Sequence, residues 1–326
     1  MSAAGTRPAG TPIAEIRDLV VTYPTSRGPL KAVDRVSLDL MEGEFLGVVG
    51  ESGCGKTTMA LTLLRMSDPG RVTGGTVKVE GTDILSLGDE ALRKFRWEKV
   101  AMIFQAAMNA LDPVRTVESQ MVETILQHQD VAKEEARDRV RKLLEAVSID
   151  PARAKSYPHE LSGGMRQRVV IALSLCLSPS ILIADEPTTA LDVVVQAGVI
   201  RTLKELQRGL GLTVMLITHD ISIMNETSDR LAIMYAGKIV EVGPTSQIIS
   251  DPQHPYTEAL LNAVPVMESG KADVKGIPGN PPDLVSPPVG CRFSPRCPYA
   301  FDRCREEEPP LIFGGKGMVA CWLRSK

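Results

Sequence analysis

The chain has few aromatic residues. Phe, Tyr and Trp together make up 4% of its 326 residues. Its core must therefore be mostly aliphatic. It also lacks an excess of either charge: 37 Lys and Arg face 40 Asp and Glu, a net charge of −3, with the two signs interspersed. That balance excludes a dedicated nucleic-acid surface. No apolar run approaches the roughly eighteen residues of a membrane span, so any membrane role must come through a partner. The opening stretch Met-Ser-Ala-Ala-Gly-Thr-Arg-Pro has no hydrophobic segment and does not read as a signal peptide. Residues 1–12 read instead as a short disordered arm. These absences predict a cytosolic protein, in which disulfides are not expected. The length leaves room for about two domains, and a hydrophobic content of 43% is enough for a sizeable core.

What is present begins with Gly50-Glu51-Ser52-Gly53-Cys54-Gly55-Lys56-Thr57, a G-x-x-x-x-G-K-T pattern. The apolar run Phe45–Val49 precedes it, and a helix-like segment, Thr58 to Leu64, follows. Strand, glycine-rich loop and helix in that order form a phosphate-binding loop. The glycines let successive N–H groups turn inward toward an anion, and the helix adds its positive end. Lys56 is placed to reach β- and γ-phosphates, and the Thr57 hydroxyl to hold Mg²⁺. Further on, Leu182-Ile183-Ala184-Asp185-Glu186 is an aliphatic strand ending in two acids. Asp185 suits Mg²⁺, and Glu186 can accept a hydrogen bond from a water attacking the γ-phosphate. Taken alone, such a pair is equally a solvated strand end.

Short apolar runs at Ile13–Val21, Val36–Leu40 and Phe45–Val49 alternate with turns, as antiparallel strands do. Thr76–Gly81 reads as another strand and turn. From about Gly88 the pattern becomes helical. Val140, Leu143, Leu144 and Val147 fall on one face of a charged helix, a packing stripe without chemistry. Continuous apolar runs at Ser180–Ala184 and Leu212–Thr218 suit central strands of a parallel sheet. After Pro252 the composition shifts. Ile277–Pro282 and Ser286–Pro288 are too rich in proline for helix and read as a linker to a small cysteine-bearing tail.

Between the two nucleotide motifs lies Leu161-Ser162-Gly163-Gly164-Met165-Arg166-Gln167-Arg168. Here the chain resembles the ATP-binding cassette (ABC) ATPases, whose signature is LSGGQ-like. Gln105 after Ile103-Phe104 matches the family's glutamine loop, Thr189-Ala190-Leu191-Asp192 its D-loop, Thr218-His219-Asp220 its histidine switch, and Tyr23 its adenine-stacking aromatic. The resemblance covers about residues 13–250 and implies an α/β P-loop NTPase fold: a mixed core sheet with helices, an antiparallel β subdomain, and a helical subdomain over about 86–174. It implies ATP contacts from Tyr23, Gly50, Ser52, Gly53, Cys54, Gly55, Lys56, Thr57 and Thr58, Mg²⁺ held by Thr57, Gln105 and Asp185, and catalytic roles for Glu186, His219 and Gln105. Ser162, Gly163, Gly164 and Gln167 would close over ATP bound by a second, head-to-tail cassette, with Asp192 at the same junction. The glycines before the helix-like run Met165–Leu175 fit a second anion-binding helix end. Two departures stand out. The signature's fifth position is Met165, and residues 106–113 match the peptide-importer version of the membrane-facing segment only loosely.

Cys291, Cys297, Cys304 and Cys321 are spaced C-x5-C-x6-C-x16-C. Thiolates select zinc or iron–sulfur clusters, and this spacing is too wide for the usual structural zinc pairs. Four cysteines can complete a 4Fe–4S cluster, with zinc and unliganded thiols as the other readings. The segments Cys291–Pro298 and His254–Thr257 resemble the C-terminal extension of dipeptide and oligopeptide importer ATPases, some of which hold an iron–sulfur cluster. Residues 251–326 would be that extension, and a cluster there would serve as a structural staple. Cys54 and Cys176 read as packing residues.

The expectation is therefore an ATPase subunit of a peptide importer. It would sit on the cytoplasmic face of the membrane beside two permease subunits and a second ABC ATPase chain, served by an extracytoplasmic substrate-binding protein, with no nucleic-acid partner. Oligosaccharide or nickel uptake by the same machine is the nearest alternative. A soluble cassette acting on DNA or ribosomes, or an iron–sulfur sensor with a vestigial cassette, stands further off.

Overall fold

The computed structural model describes residues 10–105, 107–189, 191–263, 276–315 and 317–324. In chain order the elements are β1 (Pro12–Thr25), β2 (Gly28–Met41), β3 (Phe45–Val49), α1 (Lys56–Thr62), β4 (Arg71–Val79), β5 (Thr82–Asp83), α2 (Asp89–Glu98), β6 (Val100–Ile103), α3 (Val117–His128), α4 (Lys133–Ala146) and α5 (Gly163–Ser174). There follow β7 (Ile181–Asp185), α6 (Val193–Leu210), β8 (Thr213–Thr218), α7 (Met224–Thr227), β9 (Arg230–Tyr235), β10 (Lys238–Pro244), α8 (Thr245–Ser250), α9 (Pro255–Asn262), α10 (Asp302–Glu306), β11 (Ile312–Gly314) and β12 (Gly317–Val319). Most of the expected disordered arm, residues 1–9, lies outside the described residues, and Pro12 already opens β1. Among the described residues no helix is long and apolar enough to cross a membrane.

The chain divides into two compact units. Among the described residues, the first comprises 10–11, Met41–Phe45 and Ser86–Leu216, and the second comprises Pro12–Leu40, Leu46–Leu85 and the residues from Ile217 onward. In the first unit β6 and β7 pair in parallel, with Val100 opposite Ile181 and Ile103 opposite Ala184. Every residue of β7 is buried, as a strand covered on both faces requires. Strand β6 interrupts the helical pattern read from about Gly88 and was not foreseen in the sequence. It is only Val-Ala-Met-Ile, and an apolar run that short carries no period to separate strand from helix. The amphipathic stripe is present on α4: Val140, Leu144 and Val147 are buried and Leu143 is half-buried. Each fully buried aliphatic side chain stabilises by about 1.5–3 kcal/mol. Arg137 on α4 bonds Glu118 on α3 at 3.2 Å, and the Thr116 hydroxyl caps α3 by accepting from the Ser119 N–H.

The second unit holds an antiparallel sheet in the order β2-β1-β4-β5. It also holds β3 from Leu46 onward, which pairs in parallel with β9 from Leu46↔Arg230 to Val49↔Ile233. That corrects the grouping of Phe45–Val49 with the antiparallel strands. All five of its residues are buried, the mark of a parallel central strand. Strands β9 and β10 form a hairpin whose two turn residues, Ala236 and Gly237, both have positive φ, 47° and 82°.

The extension differs from a tail on a linker. Val319 of β12 pairs with Glu241 of β10, so the extension adds strands to the same sheet. The scarce aromatics gather here: the Tyr235 ring lies 4.6 Å from Tyr256 and 5.3 Å from Phe293, and all three are fully buried. Phe293 therefore supplies the packing that residues 277–288, irregular as expected, cannot.

Candidate functional site: phosphate loop, acidic strand end and signature helix

In the second unit, β3 delivers the chain into the loop and α1 begins at Lys56, with Gly55 as its left-handed N-cap at φ 102°. A side chain is impossible at two loop positions. A Cβ at Gly50 would lie 2.0 Å from the Met234 carbonyl oxygen, and one at Gly55 would lie 2.2 Å from that of Ala32. The Lys56 ammonium is buried within the loop and donates to the carbonyls of Gly50 at 2.7 Å and Glu51 at 2.9 Å. Cys54 is buried beside it; burial raises its thiol pKa although Lys56 pulls the other way. Ser52, Gly53 and Thr57 are exposed on the loop, where an incoming phosphate can reach them. The half-buried Tyr23 lies with its hydroxyl 3.4 Å from the Thr58 hydroxyl, against the backbone of Gly70. His219 is exposed just past the end of β8, and the Thr218 hydroxyl accepts from the Asp220 N–H at 3.1 Å.

In the first unit, Asp185 ends β7 with 3% exposure. Glu186 follows at φ 45°, a conformation that side-chain-bearing residues adopt at a cost and that clusters at functional sites. Its Oε2 accepts from the Gln105 amide at 3.1 Å and from the Thr189 hydroxyl at 3.2 Å. The structure thus brings together the glutamine and the glutamate that the sequence separates by eighty-one positions. Ser162 is exposed and caps α5 by accepting from the Met165 N–H at 3.3 Å. Gly164 is confined by packing as well: a Cβ there would lie 2.6 Å from a methyl of Val195. Asp192 caps α6, accepting from the Val195 N–H at 2.9 Å, a local structural role; Ala190 of the D-loop lies outside the described residues. Gln167 departs from its expected place beside Ser162. It is 2% exposed, so its side chain points into its own unit rather than toward a nucleotide on a partner.

The four C-terminal cysteines line one small cavity of about 10 Å³ with His254 and Phe293. None is in a disulfide. The Cys291 N–H donates to the Cys304 carbonyl at 2.8 Å. Burial pushes the Cys291 thiol up to about 11 and raises those of Cys297 and Cys321, and the neighbouring thiols add to each shift. The donor set suits a soft metal, yet among the described residues no group of three or more His, Cys, Asp or Glu side chains could hold a metal ion. The expected 4Fe–4S site therefore has its ligand types gathered but finds no support in their geometry.

Sequence reasoning missed the partners of the loop's second residue. Arg296 grips the Glu51 carboxylate, and the Tyr256 hydroxyl accepts from the Glu51 N–H at 2.9 Å. The segments around Cys291–Pro298 and His254–Thr257 were the available signal, but nothing local to them points at residue 51.

A family model described as ABC transporter matches residues 33–189, and one described as the oligopeptide/dipeptide transporter C-terminal region matches residues 240–304. The chain is 43% identical over 319 residues to the dipeptide transport ATP-binding protein DppD of Bacillus subtilis, covering 96% of this chain and 95% of the relative. It is 42% identical over 312 residues to the oligopeptide transport ATP-binding protein OppD of Salmonella typhimurium, covering 95% and 93%. The solved dimeric ABC transporter cassette MJ0796 superposes with a TM-score of 0.62 at 30% identity, over 71% of this chain and 98% of that one. With both family models matched in one chain and this identity along nearly its whole length, the chain belongs to the ABC transporter ATPases, in the branch that carries the oligopeptide/dipeptide C-terminal region.

Proposed function

We propose that this ABC ATPase drives import of dipeptides or oligopeptides across a membrane. The reading rests on likeness to peptide transport ATP-binding proteins along nearly the whole chain, extension included, rather than on the cassette alone. In this reading Lys56 leaves the loop carbonyls and pairs with the β- and γ-phosphates, while the loop N–H groups and the positive end of α1 hold the rest of the anion. The hydroxyl of Thr57, the Gln105 amide oxygen and the Asp185 carboxylate are hard oxygen donors of the kind Mg²⁺ takes; the ion would neutralise phosphate charge there. Glu186 acts as the base for the attacking water, and its bonds from Gln105 and Thr189 aim the carboxylate. His219 completes the catalytic set. Tyr23 stacks on the adenine, with its hydroxyl anchored near Thr58.

Ser162, Gly163 and Gly164 would close over ATP bound to a second ABC ATPase subunit, so that ATP joins the pair and hydrolysis releases it. Val193 and Val194, each 82% exposed at the start of α6, offer an apolar surface for such a pairing. Two permease subunits would hold the pair at the cytoplasmic face of the membrane, docking against the region of about 86–174, and an extracytoplasmic binding protein would deliver the cargo. At the extension, a 4Fe–4S cluster held by Cys291, Cys297, Cys304 and Cys321 would act as a structural cross-link. Iron and sulfide analysis of protein purified without oxygen tests it; absence of both removes the cluster.

The function itself is tested by reconstituting the chain with its permeases and second ATPase in vesicles. Peptide-loaded binding protein is expected to stimulate phosphate release and uptake of labelled dipeptide. Glu186→Gln should keep ATP bound and slow release by about 10²–10⁴-fold. Stimulation by nickel or an oligosaccharide instead of peptide refutes the cargo; full turnover by Glu186→Gln refutes the base.

A further inference from the structure

The phosphate loop carries a carboxylate among its own eight residues. Glu51 is its second residue, and its main-chain carbonyl is 2.9 Å from the Lys56 ammonium. An uncompensated negative charge on an anion-binding loop weakens its attraction for a triphosphate. The structure answers this charge from 245 residues away. Arg296 sets its guanidinium fork on Glu51, Nη1 to Oε2 at 2.7 Å and Nη2 to Oε1 at 2.9 Å. Such bidentate pairs are the strong, directional class of ion pair. The arginine is itself completely committed. Nε donates to the Pro278 carbonyl at 2.8 Å, Nη1 also to the Tyr235 hydroxyl at 3.2 Å, and Nη2 also to the Ile277 carbonyl at 3.3 Å. All five of its N–H groups are thus engaged, an arrangement a lysine cannot reproduce. Its side chain is 4% exposed against 24% for Glu51, so the pair is shielded on the arginine side.

A second contact fixes the same residue through its main chain. The Glu51 N–H donates to the Tyr256 hydroxyl, and Tyr256 is locked in the aromatic cluster with Tyr235 and Phe293. Glu51 is therefore held at side chain and backbone, both times by residues of the extension.

We propose that Arg296 is a positioning residue for the nucleotide site. By neutralising and anchoring Glu51 it holds the phosphate loop in its anion-receiving shape, and so the C-terminal extension sets the affinity for the nucleoside triphosphate. The assignment concerns ATP binding alone and stands whatever cargo the transporter carries.

The test is a charge-compensation cycle on the purified full-length chain, with the Kd for the non-hydrolysable analogue AMP-PNP and Mg²⁺ read by calorimetry. Arg296→Gln is expected to weaken binding about tenfold or more, because the carboxylate of the phosphate loop is left uncompensated and unanchored. Arg296→Lys, which keeps the charge and loses the fork, is expected to fall between the two. Arg296→Gln combined with Glu51→Gln removes both charges and is expected to return the Kd to within about threefold of the parent. Thermal unfolding of each variant accompanies the titration. Parent-like binding by Arg296→Gln overturns the proposal. So does a double variant as weak, or as unstable, as the single one, since that outcome makes Arg296 a folding residue without a specific debt to Glu51.

Discussion

Asp34 offers the sharpest test of how the extension is attached. Its side chain on β2 is 8% exposed and meets Arg292 of the extension, which also donates to the Ala236 carbonyl. Lys238 lies 3.4 Å away on β10, and Arg35 at 3.7 Å. Glu308 balances Lys238 and Arg35 from the extension side at 2.5 and 2.8 Å. Burial alone would raise the Asp34 carboxyl, but Lys238, Arg292, Lys31 and Arg35 together hold it below the usual carboxylate range. Asp34→Asn preserves the shape and removes the charge. It leaves Arg292, with 7% of its side chain exposed, and Lys238, with 12%, as neighbouring cations, with the exposed Glu308 as a weaker counter-charge. Deleting one partner of a buried pair costs about 3–5 kcal/mol. A unit of this size loses about 2–4 °C of Tm per kcal/mol, so Tm should fall by about 10 °C. Circular-dichroism melts and urea titrations at pH 7.5 read both quantities. Combining Asp34→Asn with Lys238→Met should recover part of the loss, because one stranded cation goes with it. A single variant within about 1 kcal/mol of the parent, or a double variant that recovers nothing, refutes the view that this charge cluster fastens the extension.

Acid should act on the same group. Because the folded-state pKa of Asp34 lies below its ordinary value of 3.8, its contribution is complete above that value and is lost as pH falls through the lower folded pKa, so stability curves of parent and Asp34→Asn should converge in strong acid. Gly55→Ala should abolish binding of AMP-PNP in a calorimetric titration, since the new methyl would sit 2.2 Å from the Ala32 carbonyl oxygen at a φ of 102°, which alanine resists. Phe293→Ala should cost about 3–5 kcal/mol in urea unfolding, having emptied the centre of the aromatic cluster. Ser162→Ala, which removes the α5 cap, should cost only about 1 kcal/mol in the same assay while leaving AMP-PNP binding by the isolated chain unchanged.

What could be read in advance was whatever a few adjacent residues decide among themselves. Gly50 through Thr57 contain their own conformational instructions, as do the all-aliphatic run of β7 and the Ser-Gly-Gly start of α5, because glycine geometry, side-chain burial and helix capping act over short stretches of chain. Hence the cassette, its motif order and its family were visible in the sequence alone. The tertiary structure decided the rest. It put four ambiguous residues into β6, turned Gln167 inward, made β3 a parallel strand and gathered scarce aromatics around Phe293. It also joined Arg296 to Glu51 and Arg292 to Asp34. Pairings of that kind depend on which surfaces the folded chain brings within a few ångströms, and at separations of 245 and 258 residues no local preference encodes them.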